Sequence, residues 1–408
     1  RLVGAPPVSI GKFGSDTDNW EWPRHTCDFS VFRVYSGPNG KPAPYSKDNI
    51  PLRPKYHLSV SLKDLNTDDF AMILGYPGRT NRWMPSAGIE QNVKYAYPAW
   101  VDGAKTGMDN MKKYMDQSEE LNLMYASKYA GTANYWKNRQ GMIDALTKFE
   151  TAKSKAAQET KFNKWANKPE NKAKYGNVMT NINTYYAMTN EKSRHDSYLM
   201  QLFRTSSLGT ISTTLGRQLD IYAKADATKR AEMAPKIKEQ AAKSLKGMHL
   251  PAEKDILAAQ LNKYATKSVP YTIAPMVKKI GDENNNNYTN YVNQIVDTSI
   301  LTSEERIQAF LAAPSEEALN NDPLYTLSKD MNTHFLSKSE ELVKAQNDYE
   351  ASFRLMVEGL RESGIAEIKY PDANSTLRLT YGKVVQAFPP VVIHKIGMII
   401  RLIPQPTK

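Results

Sequence analysis

The sequence is short of several things that would make a function easy to name. It holds one cysteine, Cys27, which excludes an internal disulfide framework. It has no run of eighteen apolar residues, so no membrane-spanning helix is expected. No glycine-rich turn is followed by the Lys-Ser/Thr pair of a phosphate loop; Gly75-Tyr76-Pro77-Gly78 is a turn and nothing more. The six histidines are scattered singly, His25, His57, His195, His249, His334 and His394, and none has metal-binding spacing. Asp16 and Asp18 lack the glycine and distal glutamate that would complete a calcium loop. Negative charge is in deficit, with a net +11, but the lysines are spread along helical segments. That pattern reads as a solvated basic surface, and no nucleic-acid-binding motif accompanies it.

What is present divides into three stretches. Residues 1–95 read as β structure: Phe29–Tyr35 is rich in β-branched and aromatic residues, 57–62 alternates Leu58, Val60 and Leu62 with polar neighbours, and Phe70–Leu74 is a continuous apolar run. Between these, 36–54 carries five prolines and reads as a loop. The pattern changes near Pro98. From about residue 103 to 362 helix formers dominate, with a capping box at Thr302-Ser303-Glu304-Glu305 ahead of Ile307, Phe310 and Leu311. The longest helix is predicted from about Leu336 to Leu360, because Leu342, Ala345, Tyr349, Phe353, Met356 and Leu360 recur at steps of three and four and form one packing stripe. Four consecutive asparagines, Asn284–Asn287, read as a loop tip. After Gly364 alternation returns in 375–381. A helical domain inserted into a β domain accounts for this order, and the expected α+β organisation is a β part at 1–97, helices at 98–364 and β structure again from 365 to 408.

Two clusters stand out on this background. DTDNWEWPRHTCDFSVFRVY, residues 16–35, packs aromatic, acidic, basic and amide groups onto a stretch with no regular period, which is where sites are commonly built. YAGTANYWKN, residues 129–138, is a second aromatic and amide cluster at the front of the helical block. Taken by themselves, Asp28 reads as a strand-entry or cap residue, the nearby His25 forms no catalytic unit with it, and the second cluster reads as helix packing.

Taken together, GAPPVSIGKFGSDTDNWEWPRHTCDFSVFRVY, ILGYPGRTNRW at 73–83, KYAGTANYWKN at 128–138 and YPDANSTLRLTYGKV at 370–384 resemble one group. It is the bacterial serine dipeptidyl aminopeptidases of peptidase family 46, the dipeptidyl-peptidase 7 and 11 group. The resemblance implies a chymotrypsin-like double β-barrel with a large helical cap domain inserted. It implies release of dipeptides from the free amino terminus of peptides, in the periplasm or at the surface of a Gram-negative bacterium, without metal or organic cofactor. It implies that Asp28 is the catalytic aspartate, orienting a histidine that takes the proton from a serine. Asn19 and Trp20 match residues lining the subsite for the substrate's amino end, and Asn134 matches an amide that bonds the free α-amino group. The expected partners are peptides with a free amino terminus; the resemblance allows a homodimer, and nucleic acid is not expected.

Two departures from the family pattern occur. Cys27 stands where glycine is expected, and it is read as a small packing residue. From about Val385 the chain, VQAFPPVVIHKIGMIIRLIPQPTK, no longer follows the family, as a frame error or truncation would produce. The family's catalytic histidine is expected upstream of Arg1, and its serine, in a Gly-Asn-Ser-Gly-Ser type stretch, beyond Lys408. The chain is therefore read as a central fragment, inactive alone. A non-catalytic peptide-binding remnant with a helical cap is the alternative.

Overall fold

The computed structural model describes residues 1–15, 17–21, 25–61, 63–367 and 371–385. These fall into two compact units, one within Arg1–Arg82 and Tyr370–Lys408, the other within Trp83–Lys369.

The first unit contains short antiparallel strands. β1 (Leu2–Gly4) pairs with β2 (Val31–Phe32) through a bulge, and β3 (Tyr35–Ser36) pairs with β4 (Ile50–Pro51). The longest ladder joins β5 (Phe70–Gly75) to β6 (Arg378–Lys383), in register from Phe70↔Lys383 to Gly75↔Arg378. Its ends are fastened. Asp68 N–H donates to the Val384 carbonyl and Val384 N–H to the Asp69 carbonyl, both at 2.9 Å. The Asp372 carboxylate accepts from Thr80 Oγ1 at 2.6 Å and from the Arg82 amide at 2.9 Å. Among the described residues these three strand pairs close no barrel.

Several local expectations are corrected here. Residues 1–95 are not β structure throughout: Val8–Gly11 is a helical turn, and the helices begin at Ser86–Gln91, ahead of the composition change. That helix runs through a π-helical turn, Asn92–Ala96, into Tyr97–Met115. Pro98 therefore lies inside a helical run. It sits at the start of the regular helix, where a missing N–H is tolerated, just after the wider turn in which the ladder adjusts. The alternating stretch at 57–61 forms no strand; Leu58 is 95% and Val60 87% exposed, and alternation alone does not hold a strand that has no partner. Leu62 lies outside the described residues, as do Asp16, Trp22, Pro23 and Arg24, His394 and the divergent tail from 386.

The second unit is helical. Serines and aspartates fix the helix starts by accepting from the first-turn amides: Ser118 from Leu121, Asp226 from Lys229, Ser339 from Leu342. Ser303 caps Glu304–Ala312 by accepting from the Arg306 amide, one residue later than the Thr302…Glu305 box predicts, because the Thr302 hydroxyl donates to the Val296 carbonyl instead. The long final helix runs Glu340–Glu362 and buries Leu342, Ala345, Met356 and Leu360, with Tyr349 and Phe353 half-buried against the same core. The largest core gathers around Leu199, Leu202, Leu219, Leu257, Leu261 and Tyr264. Packing is close where Tyr97–Met115 meets Val178–Thr205. A Cβ on Gly103 would lie 2.9 Å from Gln201 Cβ, and one on Gly107 would lie 2.5 Å from Thr205 Cγ2. Overpacking of this kind costs about 1–3 kcal/mol. Gly107→Ala is accordingly expected to lower the urea midpoint of the helical unit, whereas Gly131→Ala, which meets nothing within 4 Å and lies exposed in a helix interior, should raise it slightly through helix propensity. Equal midpoints for the two variants would refute this packing.

Candidate functional site

The stretch carrying Asp28 is folded back on the helical turn before it. The Cys27 amide donates to the Ile10 carbonyl at 3.2 Å. This brings the Asp28 carboxylate over Gly11, where a Cβ would stand 3.9 Å from Asp28 Oδ1 and 3.4 Å from the Pro6 ring. Three residues later the chain enters β2. Asp28 is exposed, and among the described residues no donor is hydrogen-bonded to its carboxylate, His25 included. Cys27 is exposed as well, which corrects the expectation that it packs as a small apolar residue.

Asn19 and Trp20 sit on the loop between. Gly14 has φ +78° and its Cα lies under the Asp18 carboxyl, where a Cβ would come within 1.8 Å of Asp18 Oδ2. Only glycine permits both. The Asp18 amide donates to the Gly14 carbonyl at 3.1 Å and the Glu21 amide to the Asp18 carbonyl at 3.0 Å, closing two successive turns. Asn19 is half-buried. Trp20 is 58% exposed and has φ +63°, an uncommon backbone region for a bulky residue. Backbone strain at an exposed aromatic residue is characteristic of functional loops.

Asn134 belongs to the other unit. It is half-buried on the helix Glu119–Lys148, beside buried Thr132 and Ala133. The surrounding helix surface is clamped by two arginines. The Arg139 guanidinium lies 4.6 Å from the Tyr97 ring centroid and 5.8 Å from that of Trp100; Arg204 lies 4.8 Å from Tyr135 and 5.6 Å from Trp100. Arg139 also donates to Tyr97 OH at 3.3 Å. Thus Asp28, Asn19 and Trp20 are carried by the first unit, and Asn134 by the second.

The profile of the Peptidase S46 family matches residues 1–390. The chain belongs to the Peptidase S46 family. It is 47% identical over 390 residues to a dipeptidyl-peptidase 7 of Capnocytophaga gingivalis, a match covering 94% of the chain and 53% of that protein. It is 34% identical over 398 residues to an Asp/Glu-specific dipeptidyl-peptidase of the same organism, covering 94% and 54%. In structure it resembles Porphyromonas endodontalis DPP11 in complex with the dipeptide Arg-Glu, with TM-score 0.77 at 29% identity, covering 97% of the chain and 57% of that one. The chain thus spans about half the length of the curated relatives it matches.

One grouping was invisible in the sequence. His195 and His334, read as isolated, lie with ring centroids 5.2 Å apart. His195 is fully buried; its Nδ1 is 2.9 Å from Asp196 Oδ1 and its Nε2 2.7 Å from Tyr264 OH. Tyr264 OH accepts from the Ala274 amide at 2.9 Å, so its proton goes to Nε2 and the imidazole keeps its own on Nδ1, toward Asp196. Both nitrogens of the neutral ring are satisfied. His334 Nε2 donates to the Thr272 carbonyl at 2.8 Å. This is a structural network with no nucleophile.

Burial holds the His195 pKa below 6.5, against the opposing pull of Asp196. Below about pH 6.5 the unfolded chain therefore takes up a proton that the folded chain resists. Stability present above that value is lost as pH falls toward the folded one. His195→Asn should be less stable at neutral pH and show a shallower acid decline in urea titrations; an unchanged slope would remove His195 from the acid sensitivity.

Proposed function

We propose that this chain is the aspartate-bearing part of a serine dipeptidyl peptidase that releases dipeptides from the free amino terminus of peptides. The family match across residues 1–390 carries this reading. Asp28 would hold a histidine in the tautomer that accepts the serine proton. Its exposure and the absence of a protein donor on its carboxylate, among the described residues, are consistent with a partner still to be received. Asn19 and Trp20 would line the subsite for the substrate's amino end. Asn134 would accept from the α-amino group through its amide oxygen, recognising an ammonium without adding charge. A site built to bond that terminus rejects a longer peptide, because the buried acceptors would be left unpaired.

In this reading the first unit, within Arg1–Arg82 and Tyr370–Lys408, contributes to a chymotrypsin-like double β-barrel, and the helical unit within Trp83–Lys369 forms the cap. Support comes from the ladder β5–β6, where Phe70, Met72, Leu74, Leu379 and Tyr381 share one face and all are exposed. Apolar strand faces of this kind suit a larger barrel. The histidine and serine would come from outside these 408 residues, in which no Gly-Asn-Ser-Gly-Ser stretch occurs. Identity is higher to the dipeptidyl-peptidase 7 of C. gingivalis than to its Asp/Glu-specific counterpart, which favours an enzyme of the dipeptidyl-peptidase 7 type over an Asp/Glu-specific one. The bacterial relatives support a periplasmic or cell-surface setting; among the described residues no helix is long and apolar enough to cross a membrane.

The test uses chromogenic dipeptidyl substrates. The 408-residue chain alone should show no turnover. The product of the complete gene should turn over, and Asp28→Asn should lower its kcat by about 10³–10⁴. Turnover by the 408-residue chain that Asp28→Ala abolishes would overturn the division of residues, and a complete product that binds peptides without cleaving them would overturn the activity.

A further inference from the structure

The helical unit contains an open cleft of about 700 Å³ that the proposed peptidase chemistry does not use. This volume falls within the range of small-molecule sites, about 300–1,000 Å³. Its walls come from the helix Tyr97–Met115, the helix Leu250–Lys267 and the asparagine loop that precedes Tyr288–Thr298. We propose that this cleft binds a neutral oligosaccharide through the carboxamides of Asn110, Asn262 and Asn285.

The loop is fixed in shape. Asn285 and Asn286 have φ of +52° and +59°, a conformation asparagine tolerates better than other side-chain-bearing residues. The Asn286 amide donates to the Gly281 carbonyl at 2.8 Å and the Asn287 amide to the Asn284 carbonyl at 2.9 Å. Asn262 Nδ2 donates to the Asn286 carbonyl at 3.2 Å, tying the loop to the neighbouring helix and leaving Oδ1 to accept. Asn110 spends Nδ2 on the Thr106 carbonyl at 2.9 Å, also leaving Oδ1 to accept. The Asn285 side chain makes no hydrogen bond to any described residue, so it offers two donors and an acceptor. Planar groups with both donors and acceptors, held on three walls, match adjacent hydroxyls, each of which also donates and accepts.

The electrostatics point the same way. Three charged side chains border the cleft, and each is matched by an opposite charge that does not line it. Asp109 pairs with Lys105 at 2.7 Å, Asp255 with Lys113 at 2.6 Å, and Lys263 with Asp102 at 3.0 Å. An ionic ligand would have to compete with these pairs, whereas a neutral one leaves them intact. Polar and apolar atoms contribute about equally to the lining. Ala258 and Ala259 contribute methyl groups, and the Tyr288 ring is buried with its hydroxyl donated to the Val277 carbonyl. A saccharide, whose ring C–H faces alternate with hydroxyls, meets both kinds of surface there.

Saturation-transfer NMR and calorimetry on the full 408-residue chain, with maltotriose, chitotriose and tetra-alanine as probes, test this. A saccharide should bind with Kd of about 1 mM. Asn285→Gly, which keeps the left-handed backbone, and Asn110→Ala should each weaken it about tenfold, the worth of one good hydrogen bond, with circular dichroism unchanged. No saccharide binding, binding of tetra-alanine alone, or affinity unaltered in both variants would overturn the proposal. If one variant fails to fold, the other decides.

Discussion

The ladder between β5 and β6 is the constraint on which the rest of the chain's organisation depends. It pairs residues about three hundred positions apart, and every residue of the helical unit lies between its two strands in sequence. Bringing such distant segments together is entropically expensive, although the cost rises only with the logarithm of loop length. A folded insertion reduces it further, because its own core already holds the intervening chain compact. The fastenings secure both ends of the ladder: Val384 to Asp69 at one end, and Asp372 to Thr80 and Arg82 at the end from which the chain leaves for the helices.

Local order in the first unit is of another kind from that in the second. The helical unit is held by burial, with Leu, Ile and Tyr side chains from many helices sharing cores and glycines allowing close approach at Gly103 and Gly107. In the first unit short strands and turns place side chains on irregular backbone. Gly14 makes room for the Asp18 carboxylate, where any Cβ would collide. Such segments take their shape from backbone hydrogen bonds and glycine permissiveness more than from a core, which suits them to carrying reactive or recognising groups.

Much of this was legible in the residues and some was not. The stripe from Leu342 to Leu360 identified its helix because burial there follows the helical period closely. Four short sequence blocks identified the family, since site residues are constrained in type and order. The alternating run at 57–61 misled because a strand exists only with a partner, and periodicity says nothing about partners. The helix at 86–96 was hidden by Pro98, whose position at the start of a regular helix after a π-helical turn cannot be told from a helix boundary in sequence alone. Cys27 was read from its size, whereas its exposure depends on the surroundings of an irregular segment, which no residue type announces. The meeting of His195 and His334 is tertiary, and no spacing announces it. The asparagine run was recognised as a loop tip, but its relation to Asn110 and Asn262 required the fold.

The central proposal is that Asp28 would serve as the catalytic aspartate and that Asn19, Trp20 and Asn134 would recognise the substrate's amino end. A crystal structure of the complete gene product with a bound dipeptide tests it most directly. The account predicts the dipeptide's α-amino group hydrogen-bonded to Asn134 Oδ1, its amino end lined by Asn19 and Trp20, and the Asp28 carboxylate bonded to an imidazole that faces a serine. A dipeptide held by other residues, or an Asp28 with no imidazole beside it, would contradict the account.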